Sequence, residues 1–216
     1  MNSRIDHFMY AVPSLDAGIQ WAADTFGVEP AYGGEHIGLG TRNALLSLGS
    51  TYLEIIAPDP AQALTPGGMA EKFSQLTAGG LVTWAAEGNL PEIAEKFSNL
   101  NINCNGPNRT QRQTAEGELL VWDLLFPYGT EHGARMPFFI DWLACTNPRE
   151  TTPMGGDFRS LSITTPDTEH LRSTMAAIDL DVEVSSGEPS LAVAVETGRG
   201  EVLLLSTPET SHITMR

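Results

Sequence analysis

The chain has 216 residues, and its 27 acidic and 12 basic side chains give a formal net charge of −15. A surface this acidic repels nucleic-acid phosphates and anionic lipid headgroups, which argues against both classes of partner. Hydrophobic residues make up 41% of the chain, as in a globular protein. No apolar run approaches the roughly 20 residues of a membrane span, and no signal peptide is visible. We therefore expect a cytoplasmic protein, in which Cys104 and Cys145 are free thiols.

The first sixty residues predict a strand, a helix and then three more strands. Residues 5–12 are dense in bulky apolar side chains, which is typical of a buried strand. Ser14 is a candidate helix N-cap and Gly27 a candidate C-terminal stop, with apolar residues at helical spacing between them. Glycines separate the extended segments that follow, at 31–37, 44–48 and 52–57.

The same layout recurs twice. The second module begins with a strand at 81–86 and a helix capped by Asn89 and Glu92, and further strands follow near 111, at 119–126 and at 138–143. The third begins at 161–164, and its later strands lie at 182–184, 191–195 and 202–205. A connector with a short helix spans 62–80. We predict an α+β protein of repeated βαβββ modules, with two paired modules in 1–145 and a third, degenerate one in 156–208.

Polar side chains inside strands that otherwise look buried are the first candidates for function. They are His7 in the first strand, Glu54 and Asp141 in the last strands of modules one and two, and Asp123. Burying a bare carboxylate costs several kcal/mol, so each must be paired, hydrogen-bonded, metal-bound or directed at a wet cavity. Because Glu54 and Asp141 occupy nearly the same offset in their modules, the repeat indicates one shared site.

Four segments carry a resemblance to a known family: residues 5–7, 36–49, 52–59 and 137–142. They resemble the glyoxalase-like domain family of the vicinal oxygen chelate superfamily, over about residues 4–145. The resemblance implies paired βαβββ modules in a curved mixed sheet that forms a cup around a divalent metal. The sequence departs from the family pattern at Arg42, where a histidine is expected.

The metal hypothesis that follows uses His7, Glu54 and Asp141 as ligands. Two carboxylates and one imidazole suit Mn, Fe(II), Mg or Zn. Glu54 and Asp141 are also the candidate catalytic acid–base groups. Asp141 could instead orient His7 as a hydrogen-bond acceptor. Each residue also has a structural alternative: a core histidine, a buried glutamate paired with an arginine, and an aspartate that caps a turn or pairs with Arg112.

The predicted substrate-binding residues supply hydrogen-bond donors and apolar walls. A glycine-rich rim loop and the polar stretch 108–114 provide the donors, and two tryptophans in strands provide the walls, although tryptophan in a strand is more often simply core. These residues are His36, Arg42, Asn43, Arg112, Trp122 and Trp142.

Three functional hypotheses remain open. The first is an enzyme with lyase or isomerase chemistry on a small molecule whose neighbouring oxygens bind the metal. The second is a metal-free protein that binds or sequesters a small amphipathic or carboxylated molecule in the same cup. The third is a partner-binding scaffold. Modules one and two are expected to form the cup, with module three beside it or at a dimer interface. If modules one and three pair instead, Asp141 leaves the site.

Overall fold

A computed structural model describes residues 3–113, 117 and 119–213 of the chain. The strands are β1 (Arg4–Ala11), β2 (Ala31–His36), β3 (Thr41–Ser47), β4 (Tyr52–Pro58), β5 (Gly80–Glu87), β6 (Asn103–Gln113), β7 (Leu119–Tyr128), β8 (Phe138–Asp141), β9 (Asp157–Thr165), β10 (Glu183–Ser186), β11 (Ser190–Thr197) and β12 (Gly200–Leu205). The helices are α1 (Leu15–Phe26), α2 (Met69–Ser74), α3 (Leu90–Asn99) and α4 (Thr168–Ala177), with 3-10 turns at Gly133–Arg135 and Pro148–Glu150. None of the helices in this part of the chain has the length and apolar character that a bilayer span requires.

Modules one and two form one eight-stranded sheet in the order β2-β3-β4-β1-β5-β8-β7-β6. In each module the first strand pairs in parallel with the fourth, β1 with β4 and β5 with β8. Strands β1 and β5 pair antiparallel at the centre, so the two modules are related by an approximate twofold operation. The predicted α+β class, the repeated βαβββ layout and the curved mixed sheet are confirmed.

Module three repeats the layout but not the topology. Its four-stranded sheet has the order β10-β9-β11-β12, and its first strand pairs in parallel with its second strand instead of its last. Helix α4 therefore serves as a short crossover between two adjacent parallel strands, the arrangement that a βαβ unit requires. The pairing order of module three, for which the sequence makes no prediction, therefore differs from that of modules one and two.

The two faces of the large sheet have different roles. On one face α1, α3 and module three share a continuous apolar core, in which the rings of Phe8 and Phe158 lie 5.2 Å apart. The segment before β9 joins the sheet through hydrogen bonds such as Gly155 N–H to the Ser47 carbonyl, 2.9 Å. The other face carries a second, smaller apolar cluster around a cleft. The division into domains at 1–145 and 156–208 stays a prediction.

The two cysteines lie partly buried and unbonded to each other, as expected of free thiols. Burial raises the pKa of the Cys104 thiol to about 11. A thiol with such a pKa holds very little thiolate at neutral pH and is a poor nucleophile.

Candidate functional site

A cleft opens on the face of the large sheet opposite α1 and α3, and both modules line it. Module one contributes the polar residues His7, His36, Thr41, Asn43 and Glu54. Module two contributes Arg112, the hydroxyl of Thr110 and a largely apolar wall that includes Trp122, Phe126, Phe138 and Trp142. The empty volume, mouth included, is about 670 Å³. That size is usual for small-molecule sites. We call this cleft the cup.

A bulge in β1 brings two neighbouring side chains to the same place. Adjacent residues of a regular strand point to opposite faces. The register against β5 shifts between Ile5 and His7, which lets Asp6 and His7 meet with 2.6 Å between Oδ1 and Nδ1. Asp6 is fully buried. Its second oxygen, Oδ2, accepts hydrogen bonds from Trp142 Nε1 at 3.1 Å and Asn147 Nδ2 at 2.6 Å.

These contacts determine which nitrogen of His7 faces the cup. Burial alone raises the pKa of Asp6, but its hydrogen bonds with His7, Asn147 and Trp142 outweigh burial and hold that pKa below its ordinary value. Asp6 is therefore ionised at neutral pH and accepts the Nδ1–H of His7. The Nε2 of His7 is left facing the cup.

Glu54 lies on β4, directly beside β1, and faces His7. Its Oε2 is 3.6 Å from His7 Nε2, while its Oε1 accepts a hydrogen bond from Asn43 Nδ2 at 2.6 Å. The carboxylate is 7% exposed. Tyr52 lies two residues before Glu54 on the same face of β4, and its ring stacks on the imidazole of His7 with 4.6 Å between centroids. Glu54 and His7 thus form an acid–base pair that packing and hydrogen bonds hold in place.

His36 is held neutral at the back of the cup. Its Nε2 lies 3.3 Å from Asn43 Nδ2. Because the amide nitrogen of asparagine can only donate, His36 Nε2 is the acceptor. The proton is then on Nδ1, which lies 2.9 Å from the Thr41 hydroxyl. Burial lowers the pKa of His36, with Glu54 opposing the effect. His36 and Asn43 therefore orient the Oε1 side of Glu54.

Arg112 brings a positive charge into the cup from the far edge of the sheet. The sheet curls until β6 approaches β2, where Arg112 Nη1 donates to the carbonyl of Gly33. The Arg112 side chain is buried, and burial lowers its pKa. No carboxylate of the described residues lies within 4 Å of its guanidinium.

Aromatic rings form the wall that module two presents to the cup. The rings of Trp122 and Trp142 lie 5.4 Å apart, and those of Phe126 and Phe138 stack at 5.3 Å. The Nε1–H of Trp142 is bonded to Asp6, so this wall also supports the polar pair. Such rings favour a flat or branched apolar ligand.

The structure does not bring Asp141 and Arg42 into the cup. Phe138 and Ile140 of β8 line the cup, so the alternation of the strand turns Asp141 to the other face, where it accepts the Leu143 N–H at 2.8 Å. Arg42 alternates in the same way with its neighbours on β3 and lies 3.5 Å from Asp16 at the start of α1. The expectation that both belong to the site is corrected.

Residues 5–178 match the glyoxalase-like domain family. The chain belongs to that family. The sequence motifs implied the same family. A search of curated proteins finds no relative.

Solved structures resemble this glyoxalase-like protein in fold. A hypothetical protein from Staphylococcus aureus aligns with a TM-score of 0.65 at 16% identity, covering 94% of this chain and 85% of that one. Methylmalonyl-CoA epimerase from Mycobacterium tuberculosis aligns with a TM-score of 0.48 at 19% identity, covering 63% and 85%. At these identities the similarity concerns the fold alone.

The donor set of this glyoxalase-like cup does not fit the expected metal. Of the three predicted ligands only His7 and Glu54 meet, and the nearest further donor, His36 Nε2, already accepts a hydrogen bond from Asn43. The module-two wall opposite them contributes carbon, such as Ile140. Across the described ranges no three His, Cys, Asp or Glu side chains converge in a way that could hold a metal ion.

Two important residues of the site were missed at the sequence level. Asp6 precedes His7, and strand alternation predicts that it points away, because nothing in the sequence marks the bulge. Asn147 lies in a loop more than 130 residues along the chain, and only the fold brings it to Asp6. Tyr52, in contrast, lies on the same face as Glu54 simply because side chains alternate along β4.

Proposed function

We propose that this glyoxalase-like protein is an enzyme that moves a proton on a small organic substrate, as an isomerase or a lyase, without a metal. The observation that carries the proposal is the arrangement of Asp6, His7 and Glu54. A buried carboxylate orients an imidazole, and its free nitrogen lies 3.6 Å from a second carboxylate inside an apolar cleft. Buried acid–base groups of this kind are typical of catalytic sites.

The proton transfer uses groups of this chain alone. His7 Nε2 removes a proton from a carbon next to a carbonyl or carboxylate group of the substrate. The imidazolium formed lies between two negative charges, Asp6 at Nδ1 and Glu54 at Nε2, which stabilises it. His7 then returns the proton to another substrate atom, which is an isomerisation, or a leaving group departs with the bonding electrons, which is a lyase reaction.

Arg112 has the charge that this reaction needs on the substrate side. Removal of a proton from carbon leaves an enolate-like anion. A guanidinium in a cleft of low dielectric stabilises such an anion more strongly than water does. Arg112 therefore substitutes for the Lewis acid that the sequence hypothesis assigned to a metal.

The proposal is tested by deuterium exchange, which needs no knowledge of the final product. Small carbonyl compounds and carboxylic acids are incubated with the protein in D₂O, and loss of their C–H signals is followed by proton NMR. We expect exchange at one C–H position of an accepted compound, and a loss of at least about 100-fold in rate for Glu54→Gln and for His7→Gln. Asp141→Asn, which removes a carboxylate outside the cup, is the matched control and should keep the rate within about twofold. Exchange that survives both cup substitutions contradicts the proposal.

A metal-free binding protein is the second candidate, and the aromatic wall of the cup favours it. This alternative predicts saturable binding without C–H exchange, and binding that survives Glu54→Gln. A homodimer and a cytoplasmic location stay predictions from the sequence.

A further inference from the structure

We propose that the substrate is a monocarboxylic acid with an apolar, aromatic or branched body, and that its carboxylate binds the guanidinium of Arg112. This inference rests on the proposed function, because the same cup serves both. It names the chemical class of the substrate, which the proton transfer alone leaves open.

The charge inside the cup selects one anionic group. Arg112 and Glu54 are its charged lining residues in the described part of the chain, and His36 is neutral. Glu54 already accepts from Asn43 and faces His7. The described partner of Arg112 is a carbonyl oxygen, which takes up one donor of a guanidinium that has five. A buried cation with so little compensation is costly, and a ligand carboxylate restores the balance with a pair of charge-assisted hydrogen bonds.

The rest of the cup rejects strongly polar bodies. The wall of module two is largely apolar, with Trp122, Phe126, Phe138 and Ile140, and Thr110 adds a single hydroxyl group. A sugar or a second charged group placed there loses its water and finds too few hydrogen-bond partners to replace it, at a cost of several kcal/mol for a charge. One carboxylate attached to an apolar body fits this distribution.

The residues at the mouth of the cup indicate where the apolar part of the substrate extends out of the cup. Leu39, on the turn between β2 and β3, lines the mouth and is 54% exposed. Met69 at the start of α2 lines the cup as well. An exposed leucine at a cleft opening loses water when an apolar tail lies against it, which favours acids whose body extends outward past Leu39.

The test compares an acid with its own uncharged amide on the intact protein. 4-Phenylbutanoate and 4-phenylbutanamide share one body, and titration calorimetry gives both dissociation constants. We expect the acid to bind at least about tenfold more tightly at pH 7.5, and this preference to disappear in Arg112→Met. Arg42→Met removes an arginine outside the cup and should keep the preference. Equal binding of acid and amide to the wild-type protein, or an unchanged preference in Arg112→Met, overturns the proposal.

Two further measurements separate the possible causes of a lost preference for the acid. Because Arg112 also joins β6 to β2, circular dichroism and thermal unfolding establish that Arg112→Met is folded, and the acid-against-amide comparison on wild-type protein needs no variant at all. Deuterium exchange separates this inference from the proposed function. Tight acid binding without C–H exchange keeps the carboxylate site and contradicts the proton transfer. Exchange on neutral compounds without acid binding keeps the proton transfer and contradicts the carboxylate site.

Discussion

The site depends on Asp6, whose two carboxylate oxygens accept three hydrogen bonds. One oxygen accepts from His7, and the other accepts from Trp142 and Asn147. Because every partner is a donor, the position requires a group that only accepts. Asparagine has nearly the same shape but replaces one acceptor by an NH₂ donor.

Asp6→Asn is predicted to destabilise the fold. It is also predicted to let the proton of the neutral His7 ring move from Nδ1 to Nε2. Whichever way the amide turns, a donor meets either His7 Nδ1–H or the pair Trp142 and Asn147. We expect a loss of about 2–4 kcal/mol in the free energy of unfolding. We also expect a changed tautomer ratio for His7 in nitrogen-15 NMR spectra of its imidazole. Asp141→Asn is the control, and a wild-type spectrum for Asp6→Asn contradicts the assigned role.

The secondary-structure elements of modules one and two could be predicted almost completely from the sequence. Apolar strands, capped helices and glycine-rich turns indicate their order, and strand alternation accounts for the position of Glu54 and Tyr52 on one face. Alternation also explains the two errors at Asp141 and Arg42, since each lies next to a residue that faces the cup. The topology of module three could not be predicted, because a strand followed by a helix and three strands is compatible with more than one pairing order.

Two helix starts provide a matched test of capping. The side chain of Asn89 accepts the backbone N–H of Glu92 at 3.0 Å, whereas Ser14 occupies the same position of α1 without a side-chain hydrogen bond. Asn89→Ala is expected to lower the free energy of unfolding by about 1 kcal/mol, and Ser14→Ala by much less. Urea unfolding of both variants measures the difference. Equal losses contradict the assignment.

The close approach of β2 to β3 gives a second prediction at this scale. A Cβ at Gly33 would lie 2.2 Å from Asn43 Oδ1, and Asn43 holds Glu54. Gly33→Ala is therefore expected to displace the amide and to destabilise the protein by about 1–3 kcal/mol, with loss of exchange activity. Gly198, where an added Cβ has open space, is the control position. Thermal unfolding distinguishes the two variants, which should behave alike only if the Asn43 contact is unimportant.

At the scale of the whole molecule, the large sheet has an apolar cluster on each of its two faces. Helices α1 and α3 and module three cover one face, and the other face forms the cup with α2 beside it. The sequence could predict that modules one and two share the site, and the structure brings His7, His36, Asn43, Glu54, Arg112, Trp122 and Trp142 to one cleft. It could not predict the Asp6 network, which depends on a bulge and on contacts between distant segments. The acidic surface says little about the site, where the decisive charges are few and buried.

Buried histidines make the stability of the whole chain depend on pH. His132 is buried, and its Nε2 lies 3.0 Å from His170 Nδ1, which links the loop before β8 to α4. Burial, His170 and Arg135 lower the pKa of His132, while Asp167 and Glu131 oppose them. The unfolded chain therefore binds a proton near pH 6.5 that the folded chain does not, so stability is lost as the pH falls below that value.

His132→Gln is predicted to reduce this acid sensitivity. Urea unfolding at pH 7.5 and at pH 5.5 gives the change in the free energy of unfolding for each protein. The decrease should be smaller in the variant, by up to about 1 kcal/mol. His212→Gln, near the end of the described residues, is the control. An identical decrease in wild-type protein and His132→Gln contradicts the role of His132.

The central claim is that the cup transfers a proton with its own side chains. The most direct measurement is the rate of C–H exchange of an accepted carboxylic acid in D₂O, before and after exhaustive chelation, with the metal content determined by mass spectrometry. We predict the same rate in the metal-free protein and a rate at least about 100-fold lower in Glu54→Gln. Exchange that disappears on chelation and returns with a divalent metal would contradict the account.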